Sequence, residues 1–123
     1  MRMTTVFAVV LLASIASAQA PKDAGVSTIV GYVRDSACVH RFHEVVKPLP
    51  NGCVQACVRA GSPLVVLTRD EKIYHPISAE MPDLDVRGKP LPFVGKYVKI
   101  TGHAYNRSGS EAISVEKVEE IRE

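Results

Sequence analysis

Ser27-Thr-Ile-Val-Gly-Tyr-Val-Arg34 alternates apolar and polar side chains and is rich in β-branched residues. That is the signature of a strand with one buried face. Asp35 and Ser36 interrupt it, and the segment after them decides how the strand is used. Cys53-Val-Gln-Ala-Cys-Val-Arg-Ala60 has helical character, Gly61 supplies a C-terminal stop, and Asn51 is placed to serve as N-cap. The stretch between, from Cys38 to Gly52, carries two prolines and an Asn-Gly pair and reads as a loop.

Strand patterning then recurs. Pro63-Leu-Val-Val-Leu-Thr68 is a short apolar strand, and Arg69-Asp-Glu-Lys72 a polar turn. Ile73-Tyr-His-Pro-Ile77 completes a hairpin, with Pro76 confining that strand to an edge or a bulge because it donates no amide hydrogen. Residues from Ser78 to Pro92 are proline-rich and irregular, and Asp83 and Asp85 read as solvated loop residues. Tyr97-Val-Lys-Ile-Thr101 and Ala112-Ile-Ser-Val-Glu-Lys-Val118 alternate again around the turn Asn106-Arg-Ser-Gly-Ser110. The result is about five strands in mostly antiparallel meander order, with one short helix between strands 1 and 2. This predicts a mainly β fold: a small OB-like five-stranded, partly open barrel, with a β-sandwich as the alternative. An ordinary OB-fold has its helix between the third and fourth strands, hence "OB-like".

The N-terminus resembles an export signal. Arg2 gives a positive start, Val6 to Ile15 is almost unbroken apolar sequence, and Ala16-Ser17-Ala18 presents small residues for cleavage. Residues 1–18 are therefore expected to be a signal peptide, 19–26 a flexible leader and 27–123 a single domain. The apolar run is too short for a typical membrane span, which needs about 20 residues. The expectation is a periplasmic or secreted monomer with no stable membrane insertion after cleavage.

The formal net charge of the 123-residue chain is only +2, and lysines and arginines are scattered, so no basic stripe points to nucleic acid. With no tryptophan and few aromatics, a stacking platform for bases or sugars is disfavoured. No serine-elbow motif, carboxylate pair or glycine-rich phosphate loop asks for an enzyme. The partner class left open is a protein or small ligand of the cell envelope.

The three cysteines, Cys38, Cys53 and Cys57, carry the chemistry. Cys53 and Cys57 are four apart on the expected helix, which puts their Cβ atoms about 5–6 Å apart. A disulfide wants roughly 3.5–4.5 Å, whereas a metal with bonds of about 2.3 Å to each sulfur spans the wider gap. Cys38 is then a third thiolate and His43 or His40 a fourth ligand, and soft thiolates favour copper or zinc. Two other readings stand beside this. Cys38 can bond to Cys53 or Cys57 as a structural staple, leaving one spare thiol, or the cluster can do thiol-redox work. Asp35 is read as a turn residue, with a role behind a ligating histidine as the alternative. His75 and His103 are expected on barrel faces, and the four tyrosines in the core or at the rim.

The residues Gly31, Val33, Asp35, Ser36 and Cys38, then Cys53 and Cys57, then Gly61 and Pro63, resemble a family of small exported bacterial proteins of uncharacterised function. Gly95, Lys96, Val98, Thr101, Gly102, Ile113 and Val115 extend the likeness over nearly the whole expected mature chain. Members of that family often carry a histidine just before the second cysteine, where this chain has Asn51-Gly52. The resemblance implies the fold and export and no activity. The Cys-x-x-x-Cys element is also similar to the copper motif of exported chaperones that metallate cytochrome oxidase, over those two residues alone.

Overall fold

A computed structural model describes residues 25–42, 51–80 and 88–123. The expected signal and all but the end of the leader lie outside the described residues, as do His43, Asp83 and Asp85. Five strands are present: β1 (Val26–Asp35), β2 (Leu64–Thr68), β3 (Ile73–Ile77), β4 (Tyr97–Arg107) and β5 (Ser110–Glu120). They close into a barrel in the order β1-β2-β3-β5-β4, with β4 returning to β1. The mainly β, OB-like architecture is thus present, with two differences from the expected detail. The barrel is fully closed instead of partly open, which also removes the β-sandwich alternative. In addition, β3 and β5 pair in parallel, from Tyr74 opposite Glu111 to Ile77 opposite Ser114, so the order is not a simple meander.

Closure requires sharp curvature, and two glycines supply it. At Gly31, where β1 pairs with both β2 and β4, a Cβ would stand 2.5 Å from the Leu67 carbonyl oxygen. At Gly102 the β4–β5 register shifts by a bulge, and a Cβ would stand 1.7 Å from the Ser114 oxygen. Only a residue without a side chain permits such backbone approach.

The barrel interior is filled by Ile29, Val33, Val66, Val98, Ile100, Ile113 and Val115. These are the inward members of the alternating runs. The helix α2 (Asn51–Arg59) joins this core through Val54 and Val58, one turn apart and both buried. Gly61 ends it in the left-handed region, and the Ser62 amide donates to the Cys57 carbonyl at 3.0 Å. A second helix, α1 (Ser36–Arg41), occupies the start of the stretch expected to be a loop. On the outer side of β1, Tyr32 packs against Tyr97 with centroids 4.8 Å apart, and Arg34 and Arg69 cover the two rings. Burial raises the Tyr32 pKa above the usual phenol value, helped by its hydrogen bond to Glu123.

Candidate metal centre

The site is built where β1 ends. Asp35, fully buried, is the last residue of β1 and the N-cap of α1, with extended backbone (φ −90°, ψ 143°). Its Oδ2 accepts from the Cys38 amide at 2.9 Å, which satisfies one of the free donors of the first helical turn. The Ser62 hydroxyl donates to the same oxygen at 3.5 Å, and the Ser36 amide donates to the Pro63 carbonyl at 2.8 Å. The chain leaving α2 is thereby tied to the start of α1.

This arrangement brings Cys38, on the first turn of α1, against Cys57 on α2. Their sulfurs are 3.9 Å apart. One carboxylate oxygen of Asp35 joins them, and the three donor atoms all lie within 4.8 Å of one another. No other group of three or more such donors occurs among the described residues. Asp35 Oδ1 is buried with no hydrogen-bond partner among the described residues. The Cys38 pKa is pushed up to about 12, first by the thiol's interaction with Asp35, then by burial and by the nearby Cys57. Each of these disfavours a lone thiolate beside a carboxylate.

The other expected ligands are placed differently. Cys53 is on α2 one turn before Cys57, as the spacing implied, but it is exposed and outside the donor cluster. All three cysteines are free thiols, and the 3.9 Å contact is well beyond a bond of about 2.05 Å. His40 is exposed, and its Nδ1 lies 2.8 Å from the Ser36 carbonyl oxygen. It lines a different cleft of about 450 Å³, with Glu71, Lys72, His75 and Glu111. His75 is exposed on β3, and His103 on β4 faces Glu116 at 3.4 Å.

Asp35 as a donor is the residue that reading the sequence underweighted. The available signal was the order Asp35-Ser36-Ala37-Cys38: an N-cap residue places its carboxylate against the amide three positions on, and here that position is a cysteine. Chemically, two sulfurs and one carboxylate oxygen form a compact, anionic, three-donor face suited to a soft or borderline cation.

The chain matches no protein-family model, no curated protein and no solved structure. Among the described residues, no helix is long and apolar enough to cross a membrane.

Proposed function

We propose that this protein is a non-enzymatic binding module that holds one zinc ion on Asp35, Cys38 and Cys57. The observation that carries the reading is the Cys38–Cys57 sulfur separation of 3.9 Å beside the buried Asp35 carboxylate. Two sulfurs on a tetrahedral zinc, each bonded at about 2.3 Å, stand about 3.8 Å apart. The sulfur pair therefore already stands at the spacing the ion requires. A carboxylate in the donor set favours zinc over Cu(I), which prefers sulfur alone. The buried carboxylate and its two close thiols also form a concentration of negative charge on deprotonation that a divalent cation offsets.

Three donors among the described residues leave one tetrahedral position, for which His43, outside the described residues, is the expected ligand. The signal-like N-terminus, and the likeness to a family of small exported proteins, support a role in the cell envelope, where soft ions are bound and handed on.

Native mass spectrometry with thiol counting tests the reading. One zinc per chain, released by chelation to expose three titratable thiols, is the expected result. A fully reduced protein with no affinity for zinc overturns it, and a clear preference for Cu(I) reassigns the ion.

A further inference from the structure

We infer that Cys38 and Cys57 form a dithiol that a small-molecule disulfide oxidises to an intramolecular disulfide, expelling the ion; the expulsion rests on the zinc reading above. The two sulfurs are already in van der Waals contact at 3.9 Å, and both residues are half-buried, so a reagent can reach them. Of the three pairings open to this chain, the geometry favours this one. Cys53 and Cys57 sit on a single helix, four residues apart, with Cβ atoms about 5–6 Å apart, too wide for an unstrained bridge. Cys38 lies on a different element, α1, so its pairing with Cys57 is free of the spacing that a single helix imposes.

The chemistry balances with a reagent R–S–S–R. The thiolate of one cysteine attacks one reagent sulfur, the reagent S–S bond breaks, and R–S⁻ departs. The second cysteine's thiolate attacks the protein sulfur of the mixed disulfide and releases the second R–S⁻. One protein S–S bond forms, two electrons pass to the reagent, and the two protein protons end on the two R–SH products. A disulfide sulfur is no longer a thiolate ligand, so ion and disulfide compete for the same two atoms. The balance of zinc against oxidant then sets how much of the protein carries ion. Excess small thiol reverses the reaction.

The test treats the reduced protein, with and without zinc, with oxidised glutathione. The readouts are free-thiol count, peptide mapping of the linkage and zinc release to a chromophoric chelator. Without zinc the thiol count is expected to fall from three to one, with Cys38 linked to Cys57. Cys53→Ser is expected to fall from two to none with the same linkage. With zinc bound, oxidation is expected to slow about tenfold, because the thiolates are occupied, and each disulfide formed releases one ion. A linkage through Cys53, or three surviving thiols without zinc, overturns the inference. A Cys38–Cys57 linkage in a protein that never binds zinc removes the metal reading and leaves the dithiol standing. A zinc protein whose thiols all survive oxidation after chelation does the reverse.

Discussion

Cys38 and Cys57, 19 residues apart in the chain, meet sulfur to sulfur at 3.9 Å because α1 follows β1 directly and the chain leaving α2 is hydrogen-bonded to the start of α1. Cys53, only four residues from Cys57, is not part of that meeting. Replacing Cys38 or Cys57 by serine is therefore expected to weaken zinc binding by about a hundredfold or more, since a direct ligand outweighs the tenfold to hundredfold of a supporting residue. Cys53→Ser is expected to change it less than about threefold. A competition titration against a chromophoric chelator measures all three. An effect of Cys53→Ser as large as the others would sink the three-donor assignment.

Asp35→Asn keeps the shape of the N-cap, and its carbonyl oxygen still accepts from the Cys38 amide. It replaces the carboxylate whose hydrogen bond with the thiol most raises the Cys38 pKa and whose charge adds to that rise. The Cys38 thiolate is therefore expected to form at lower pH, seen in the ultraviolet thiolate absorbance. Zinc affinity is nonetheless expected to fall about tenfold or more, because the oxygen donor loses its charge. The two shifts run in opposite directions, so a merely structural role for Asp35 would not produce both.

The metal-free protein is expected to lose stability in alkali. Below pH 9 the Cys38 thiol holds its proton whether the chain is folded or unfolded, and it adds no pH dependence. Between its ordinary value of 9.0 and the folded value of about 12, only the unfolded chain gives the proton up. The unfolded state then binds fewer protons, so unfolding becomes easier as pH rises through that window. The melting temperature should fall across it, and Cys38→Ser should flatten the decline. Zinc binding has the opposite sense: a proton must leave Cys38, so affinity rises by about tenfold per pH unit for each thiol proton displaced.

Gly102→Ala is expected to destabilise the barrel by about 4 kcal/mol or more, or to prevent folding. The added Cβ would meet the Ser114 carbonyl oxygen at 1.7 Å, where backbone must move instead of a side chain. Gly25→Ala, which meets nothing within 4 Å, is the matched control. Denaturant unfolding compares them, and equal midpoints would show that the bulge yields without cost.

Local pattern carried much of this fold. The alternation in β1, β4 and β5 is a direct consequence of strands with one face in a core. The helix between β1 and β2 was legible from its composition and from Gly61. Strand partners were less so. The parallel β3–β5 pairing and the closing β1–β4 ladder join segments distant in the chain, and their register depends on barrel curvature at Gly31 and Gly102, not on either strand's own pattern. The helix α1 was missed because six residues with one side-chain cap leave a weak periodic signal beside two prolines further on.

From the sequence alone came the strands, the short helix and the residue types of a thiol site, because side-chain periodicity and donor chemistry are local properties. Which thiols share that site was decided by tertiary packing. Val54 and Val58 must face the barrel core, and this turns α2 so that Cys57 meets Cys38 while Cys53 faces solvent. The same packing buries Asp35 at the end of β1, so that a residue read as a turn former supplies both the cap of α1 and the oxygen donor beside the two sulfurs.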